Sequence, residues 1–383
     1  MLRIGIEANS YFKDTAGTGT YVRNIVANLQ EEIEQSHGAE IFLFTSAKKK
    51  RIILGDSKNI FIILLNWIRT IFWVQISLPI LLKKDKINIL FCPGYLCPIF
   101  SPCPVIFTIH DATFVRYPET VQIFFLIYLK LTIPIIKRLA TVILTVSNFS
   151  KEEISRLLKI SPKKIKAVYN GCNRGIFRVI NDIDKINWIK IKYNILPKFI
   201  LNVGTIEPRK NLIRLISAFN ILKKEKLIEH KLVLCGPKGW CYDEVLQKVK
   251  DLNLLQEVVF IGYVSEKELP LFYNAADIFV YPSIYEGFGL PVVEAMACAC
   301  PVVTSNISSL PEITGNAALL VNPFSVEEIA RGMYEVLSND NLRLELKQKG
   351  LNRAEMFLWR KAAKETLGVF KEVYMKTKMK GEA

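Results

Sequence analysis

The chain has 383 residues, of which 50% are hydrophobic and 23% are charged; this composition excludes a disordered or fibrous protein, and the length predicts two domains. Residues 1–180 carry +12 of the net charge of +15. Such a basic half suits nucleic acid, an anionic membrane surface or a diphosphate-bearing substrate, and it equally suits a solvated lysine-rich surface.

Strand-like apolar runs alternate with helical patterns along the first half of the chain. The runs cover residues 3–8, 40–45, 59–65, 87–92, 104–110, 141–147 and 164–170, and the helical patterns include residues 21–34 and 151–158. This alternation predicts a parallel sheet with helices on both faces. We therefore assign residues 1–180 to one doubly wound, Rossmann-like domain. The first residues run straight into a strand pattern, so we expect no secretion signal.

Two apolar segments of this half are candidates for contact with a membrane. Residues 60–82 are long enough to span a bilayer, but Arg69 near their centre costs a spanning helix about 2.5–3.5 kcal/mol. We expect instead a short strand and then a buried or interfacial helix over residues 66–82. The apolar helix over residues 121–139 carries three basic residues and suits either a lipid surface or the core.

A second alternation follows Pro197. Strand-like runs cover residues 198–204, 230–236, 258–264, 278–283, 301–306 and 317–322, with helices over 211–224, 243–252, 265–275, 291–297 and 325–338. We assign residues 197–360 to a second doubly wound domain and residues 361–383 to a C-terminal helix. Two such domains leave a cleft between the carboxyl ends of their sheets, where open α/β sheets bind ligands, so a nucleotide-type ligand is expected.

Gly17 and Gly19 follow the first strand and precede the predicted helix at Tyr21. Glycines here let backbone amides approach an anion, and the helix N-terminus adds positive potential. The segment is neither a P-loop nor a complete G-x-G-x-x-G motif, and a plain glycine turn explains it as well.

His110 ends the strand-like run 104–110. At the carboxyl end of a strand, a histidine can exchange a hydrogen bond with a substrate hydroxyl. A structural histidine explains this position equally well.

Arg209 and Lys210 stand together before the helix predicted over residues 211–224. Two cations at a helix start repel each other and the helix dipole. A bound diphosphate between them removes that conflict, because Arg offers a fork to phosphate oxygens and Lys a mobile charge. The segment therefore predicts an anion site.

A loop of nine residues from Glu286 to Glu294 follows the strand-like run 278–283. We expect Pro291 at the first helical position and Glu294 in the first turn, where the dipole favours a carboxylate that can also accept ribose hydroxyls. A carboxylate at Glu286, among glycines, can bind sugar hydroxyls or stabilise a cationic sugar. The ligand-binding residues expected in this loop are Glu286, Gly287, Phe288, Gly289, Leu290 and Glu294.

These segments together resemble glycosyltransferase family 4, the retaining enzymes of GT-B fold. The resemblance covers residues 1–375 and rests on GTGTYVRN, TIHDATFVRYPE, VSNFSKEEI, VGTIEPRKNL, GYVSEKELPLFYNAADIFVYPS and EGFGLPVVEAMACACPVV. The segments TIHDATFVRYPE and EPRKNL particularly resemble the branch of O-antigen and capsule mannosyltransferases.

The resemblance implies that the helix over residues 361–383 crosses back to pack on the first domain, and it implies a role for each of these residues. It places Arg209 and Lys210 on the donor diphosphate, and Gly17 and Gly19 on a loop that closes over it. It implies roles for the remaining residues as follows: Glu286 beside the donor sugar, Glu294 on the ribose, His110 beside the reacting sugar, and Val264 near the nucleobase. The catalytic set is therefore Glu286, His110, Arg209 and Lys210. The stretch 95–102 matches no acceptor motif, and Thr20 stands where some relatives have a basic residue.

The resemblance implies transfer of a hexose, with mannose from GDP-mannose favoured, to a lipid-linked or polysaccharide acceptor in cell-surface glycan synthesis. A UDP- or dTDP-sugar donor and a non-catalytic nucleotide-sugar-binding protein stay open as alternatives. A non-hydrolysing epimerase shares the architecture but needs an acid–base set that the three histidines scarcely supply. The expected place is the cytoplasm, with peripheral attachment to the inner membrane face left open, and no nucleic acid partner is expected.

We expect no metal and no cofactor beyond the sugar nucleotide. The eight cysteines lack C-x-x-C spacing and there are only three histidines, which predicts free thiols instead of a zinc site. No D-x-D pair stands where it would hold a divalent metal beside a diphosphate.

Overall fold

The computed structural model describes residues 2–11, 17–36, 38–46 and 69–381. The chain divides into two compact units, one formed by Met1–Tyr169 with Trp359–Ala383 and the other by Asn170–Leu358. In the described residues each unit contains one parallel sheet of six strands. The expected α/β architecture of two doubly wound units is confirmed.

The first unit has the strand order β2-β1-β3-β4-β5-β6. Its strands are β1 Leu2–Glu7, β2 Ala39–Phe44, β3 Ile89–Cys92, β4 Val105–Thr108, β5 Val142–Thr145 and β6 Ile165–Ala167. The central strands β3 and β4 are buried at every residue, as parallel strands covered on both faces must be. The predicted strand over residues 59–65 lies outside the described residues.

Five helices of the described residues accompany this sheet before the chain leaves it. They are α1 Thr18–Ser36, α2 Leu78–Lys84, α3 Thr113–Arg116, α4 Ile123–Leu139 and α5 Asn148–Leu158. A π-helical turn, Trp73–Ser77, leads directly into α2, and residues 69–84 are helical throughout. We call these residues the 69–84 helix. In the described part of the chain, no helix is both long and apolar enough to cross a membrane.

The second unit repeats the design with the strand order β12-β11-β10-β7-β8-β9. Its strands are β7 Phe199–Val203, β8 Lys231–Cys235, β9 Val258–Gly262, β10 Ile278–Tyr281, β11 Val302–Ser305 and β12 Leu319–Val321. Valine, isoleucine, leucine and phenylalanine dominate them, and β7, β10 and β11 are buried at every residue.

Eight helices of the described residues belong to the second unit. They are α6 Ile183–Lys192, α7 Leu212–Glu225, α8 Tyr242–Asp251, α9 Leu269–Ala275, α10 Leu290–Ala297, α11 Leu310–Thr314, α12 Val326–Ser338 and α13 Asp340–Ala354. The sequence analysis did not assign α6, α11 or α13, and α9 begins four residues later than predicted because a turn over residues 265–268 precedes Pro270.

The boundary between the units lies earlier than the sequence predicted. Residues 170–180 were assigned to the first domain, but they are bonded to the second unit. The Cys172 amide donates to the carbonyl of Phe357 at 2.9 Å, and the Ile180 amide donates to Asn274 Oδ1 at 2.8 Å. These long-range hydrogen bonds leave no local pattern in the sequence, so the alternation of strands and helices does not predict them.

The last helix, α14 Trp359–Gly381, belongs to the first unit. Its Phe370 ring lies 5.1 Å from that of Phe91 on β3, and Arg360 Nε lies 2.7 Å from Glu32 Oε1 on α1. The helix begins two residues before the predicted boundary at residue 361.

Candidate functional site

Strand order creates a crevice at the carboxyl edge of the second sheet. From β7 the chain proceeds to β8 and β9 on one side and then returns to β10 on the other side. The loops after β7 and β10 therefore leave the sheet in opposite directions, and ligands of open α/β sheets bind at such a switch point. Arg209 and Lys210 lie in the first of these loops and Glu286 lies in the second.

A short 3₁₀ turn, Pro208–Lys210, carries the two cations. Asn211 ends the turn with φ +60, in the left-handed region that Asn tolerates better than most residues. Its side-chain amide donates to the carbonyls of Pro282 at 3.0 Å and Pro323 at 2.6 Å. The asparagine thereby fixes the cation-bearing turn against the loop after β10.

Glu286 is the centre of a buried polar cluster. Its Oε1 accepts hydrogen bonds from Lys210 Nζ at 2.6 Å, Ser283 Oγ at 2.7 Å and Tyr281 Oη at 2.9 Å. Its Oε2 lies 2.8 Å from Arg209 Nη1. Lys210 Nζ also donates to Tyr281 Oη at 2.5 Å. The structure thus brings three predicted catalytic residues into direct contact.

Arg209 and Lys210 differ in their access to solvent. The Arg209 side chain is 22% exposed, whereas those of Lys210 and Glu286 are 8% and 9% exposed. Arg209 also lies 2.6 Å from Glu207 Oε1 and donates to the carbonyl of Tyr285 at 3.2 Å. A ligand that approaches from solvent therefore meets Arg209 before it meets Lys210.

The cluster sets the protonation state of Glu286. Burial of the carboxyl group acts to raise its pKa, but the charges of Arg209 and Lys210 outweigh burial and lower the pKa to about 2. Burial and the charge of Arg209 lower the pKa of Lys210, against the attraction of Glu286. A carboxylate with a lowered pKa is ionised at neutral pH and can stabilise a neighbouring positive charge.

The repulsion between Arg209 and Lys210 is relieved by other groups than the sequence predicts. The sequence predicts a bound diphosphate between them, but Glu286 contacts both cations and Glu207 contacts Arg209. The chain's own carboxylates therefore neutralise the pair. The charge conflict alone does not require an anionic ligand, and the position of the pair at the switch point becomes the stronger indication of one.

Four cluster residues were missed by the sequence analysis. Tyr281 and Ser283 donate to the Glu286 carboxylate, and Ser308 and Ser309, in the loop after β11, donate to its carbonyl oxygen. The segment YPS at the end of β10 belongs to the resemblance, but nothing in it predicted contacts with Glu286. Ser308 and Ser309 gave no signal, since their contacts depend on how two loops pack.

The loop after Glu286 is shaped by close packing. Phe288 is buried and its ring lies 5.5 Å from that of Phe357. Gly289 has φ +94, and a Cβ on it would lie 2.8 Å from Leu310 Cδ2. Both the backbone angle and the contact require glycine here. Gly287 is buried and Leu290 is half-buried.

Glu294 lies in the second turn of its helix. The sequence predicts it in the first turn, with Pro291 as the first helical residue, but α10 begins at Leu290. The dipole argument for Glu294 is therefore wrong, because the effect fades beyond the first turn. Glu294 Oε2 instead accepts a hydrogen bond from Tyr273 Oη at 3.0 Å. Burial raises the pKa of Glu294 to about 7, against that hydrogen bond.

Val264 is buried and follows β9 at the far edge of the same sheet. The order β10-β7-β8-β9 places β9 two strands away from β7. Val264 therefore shares the carboxyl edge with the cluster but does not belong to it.

His110 lies at the carboxyl edge of the first sheet, two residues after β4. Its Nε2 lies 2.9 Å from the carbonyl oxygen of Pro93, so Nε2 carries the proton. Its ring makes edge contacts with those of Tyr21 at 4.8 Å and Tyr95 at 5.8 Å. Burial lowers the pKa of His110, against the Pro93 bond and the charge of Asp111. The ring is therefore neutral at neutral pH.

The glycine segment differs from its prediction in one respect. Gly17 has φ +67 and its carbonyl accepts from the Tyr21 amide at 2.9 Å. The helix begins at Thr18 instead of Tyr21, so Gly19 is the second helical residue and not part of a loop. Residues 12–16, which precede Gly17, lie outside the described residues.

No group of three or more His, Cys, Asp or Glu side chains within the described ranges is arranged to hold a metal ion. The described cysteines are all free, and seven of the eight are buried.

Two family models match consecutive parts of the chain. The model "Glycosyltransferase Family 4" matches residues 15–175 and the model "Glycosyl transferases group 1" matches residues 189–353. Every cluster residue from Glu207 to Ser309 falls within the second match.

Curated relatives and solved structures are similar over most of the chain. O-antigen chain mannosyltransferase B of Escherichia coli is 36% identical over 61% of this chain, which covers 61% of that relative and thus less than two thirds of its length. O-antigen chain mannosyltransferase RfbU of Salmonella typhimurium is 30% identical over 71% of this chain and 70% of its own. The Anabaena protein HepE, crystallised with UDP and glucose, has a TM-score of 0.72 at 15% identity, over 97% of this chain and 100% of HepE.

Proposed function

The chain belongs to glycosyltransferase family 4 and has the GT-B fold, and from this premise we propose that it transfers a hexose from a sugar nucleotide to an acceptor in cell-surface glycan synthesis. Two similar proteins are named as O-antigen chain mannosyltransferases, which favours mannose from GDP-mannose. The acceptor we propose is a lipid-linked or polysaccharide glycan.

The observation that carries the proposal is the buried contact of Glu286 with Arg209 and Lys210 at the switch point. Arg209 offers a partly exposed guanidinium to the donor diphosphate, and Lys210 adds positive charge behind it. Negative charge develops on the diphosphate as the glycosidic bond breaks, and fixed cations lower the energy of that state. Because two cations supply this charge, we propose that transfer needs neither a divalent metal nor another cofactor.

The surroundings of Glu286 favour a non-covalent mechanism with retention. Its two oxygens contact four donors or cations, and an oxygen held in this way is a weak nucleophile. An ionised carboxylate near the donor sugar can instead stabilise the positive charge of an oxocarbenium-like transition state. We propose that the acceptor hydroxyl attacks from the side of the leaving diphosphate, that its proton passes to an oxygen of that diphosphate, and that the configuration at the anomeric carbon is retained.

The remaining residues take supporting roles in this proposal. The Glu294 carboxyl group accepts hydrogen bonds from hydroxyls of the donor ribose, and Val264 lies near the nucleobase. Gly17 and Gly19 contribute backbone groups on the diphosphate, and neutral His110 exchanges a hydrogen bond with the reacting sugar. Gly287, Phe288, Gly289 and Leu290 shape the donor loop.

Calorimetric titration tests the donor site. Purified full-length protein is titrated in EDTA with GDP, GDP-mannose, UDP and UDP-glucose. We expect GDP and GDP-mannose to bind, and Arg209→Ala to weaken that binding at least about tenfold through the loss of a charged hydrogen bond. The matched control is Lys224→Ala, which removes an exposed cation at the end of α7.

Each other result changes the proposal in a defined way. Preference for UDP moves the donor to a UDP-sugar and leaves the fold and mechanism in place. Nucleotide binding without sugar transfer to any lipid-linked acceptor supports a non-catalytic binding protein. The absence of nucleotide binding overturns the donor site.

A further inference from the structure

Helix α4 exposes an apolar face on the first unit. Six large apolar side chains along it are between 39% and 67% exposed: Ile123, Phe124, Ile127, Leu131, Ile135 and Leu139. Five of them recur every fourth residue, so they form one stripe along the helix. The opposite side of α4 is buried through Leu126, Leu129 and Ile133. The exposed stripe therefore takes no part in packing against the core.

The 69–84 helix carries a similar stripe. Phe72, Ile76 and Ile80 are 59%, 46% and 62% exposed, while Leu78 and Leu82 are fully buried in the same core cluster as Leu126 and Leu129. Each Å² of apolar surface left in water forgoes about 25 cal/mol of the stabilising free energy that burial would provide. Contiguous exposed apolar surface of this kind marks a binding surface on a folded protein.

The loop after β3 joins these two helices. The side chain of Gln75 on the 69–84 helix bonds both Cys97 and Ile99, at 3.1 Å and 2.8 Å. Tyr128 on α4 donates to the carbonyl of Tyr95 at 3.4 Å. Phe100 in this loop is 79% exposed. The two helices and Phe100 thus belong to one connected part of the first unit, and we call their exposed apolar side chains the apolar face.

The exposed charges on the two helices are basic. Neither the 69–84 helix nor α4 contains an acidic residue, and Lys83, Lys84, Lys130 and Arg138 on them are exposed. The acidic residues nearest in sequence are Asp85, whose carbonyl accepts from Arg3 at 2.7 Å, and Glu119, before α4. An apolar stripe edged by Lys and Arg is the pattern of a helix that lies in a membrane interface.

We propose that the apolar face binds the surface of an anionic lipid bilayer, with both helices lying in its plane. α4 packs into the core along its buried side, so only its exposed stripe can meet a bilayer. This inference rests on the proposed function, since it brings a lipid-linked acceptor to the loop whose Tyr95 contacts His110.

Co-sedimentation of the full chain with vesicles tests the inference. The vesicles are phosphatidylglycerol with phosphatidylethanolamine, or phosphatidylcholine alone. We expect the protein to bind the anionic vesicles and to release from them as salt is raised. Leu131→Glu, at a side chain 67% exposed, should weaken binding about tenfold. The matched control is Leu344→Glu on α13, where the side chain is 69% exposed.

The variant Lys130→Gln tests how much the positive charge of Lys130 contributes to vesicle binding. Loss of one interfacial lysine should lower affinity for the anionic vesicles about fivefold and leave binding to phosphatidylcholine unchanged. Equal thermal unfolding of the three variants and the parent shows that they fold, as exposed substitutions should.

Three results overturn the inference. The first is absence of binding to anionic vesicles, and the second is equal binding by Leu131→Glu and Leu344→Glu. The third is a dimer of the parent chain that Leu131→Glu converts to monomer, which would assign the face to a second copy. Nucleotide titration of the same samples separates this test from the proposed function, because donor binding depends on Arg209 and not on Leu131.

Discussion

The hydroxyl group of Ser308 holds the backbone of Glu286 at both of its polar groups. Its Oγ accepts from the Glu286 amide at 2.7 Å and donates to the Glu286 carbonyl at 2.6 Å. Ser308 has φ +65, in the left-handed region. A non-glycine residue held in this region costs about 1–3 kcal/mol. The loop after β11 thus bears strain at the residue that positions the central carboxylate.

The variants Ser308→Ala and Ser308→Gly should separate the effect of the Ser308 hydroxyl group from the effect of its left-handed backbone conformation. Both variants lose the two hydrogen bonds, so both should lower kcat about tenfold or more through misplacement of Glu286. Ser308→Gly should unfold at a higher temperature than Ser308→Ala, because glycine relieves the left-handed strain. Steady-state kinetics and thermal unfolding measure the two effects. Ser217→Ala, on an exposed face of α7, is the control; unchanged kcat in both Ser308 variants contradicts the positioning role.

Glu286→Gln should lower the transfer rate at least about 100-fold while donor binding falls much less. The amide keeps the size of the side chain but loses the negative charge that we propose acts on the transition state. Single-turnover transfer and calorimetry separate rate from binding. A covalently glycosylated Glu286, detected by mass spectrometry of the intact protein, would contradict the non-covalent mechanism.

Tyr281→Phe should weaken the cluster without breaking it. Burial and the charge of Glu286 raise the pKa of Tyr281 well above its ordinary value, so its hydroxyl stays protonated and donates. Without it, Lys210 and Glu286 still contact each other directly at 2.6 Å. We expect a loss of about 1–2 kcal/mol in the free energy of unfolding. Denaturant unfolding measures it, and a loss as large as that of Lys210→Met would show that the direct ion pair does not survive.

The stability of the fold should fall in acid through Glu286. Its pKa is about 2 in the folded protein against 4.5 as the ordinary value, so its contribution is complete above pH 4.5 and is lost as pH falls towards 2. A pKa shift of this size corresponds to about 3 kcal/mol in the free energy of unfolding. Denaturant unfolding of the parent and of Glu286→Gln should therefore converge between pH 4.5 and 2. A constant difference across that range argues against a lowered pKa.

Glu294 should make nucleotide binding depend on pH near neutrality. Its pKa is raised to about 7, so it is protonated below and ionised above that pH. If the carboxylate accepts ribose hydroxyls, binding favours the ionised form, and affinity for GDP should rise up to about tenfold between pH 6 and 8. The charge of Glu266 also raises this pKa, so Glu266→Gln is measured alongside. An identical pH dependence in Glu294→Gln would assign the effect to another group.

The sequence by itself determined the two parallel sheets and the loops that carry Arg209, Lys210 and Glu286. Strands of alternating α/β proteins read as separate apolar runs, and parallel strands bring their carboxyl ends to one edge. Local patterns of this kind need no knowledge of distant contacts. Residues 170–180 were misplaced because their partners, such as Phe357 and Asn274, are far away in the chain.

Only the tertiary structure decided how charge and exposure are distributed. Glu286 neutralises the cations that the sequence analysis had paired with a diphosphate, because the loops after β7, β10 and β11 pack against one another. The sequence of α4 is apolar on nearly every side, so it cannot tell which side is covered. Packing buries Leu129 and leaves Leu131 in solvent, and that choice depends on the neighbouring elements and not on the helix itself.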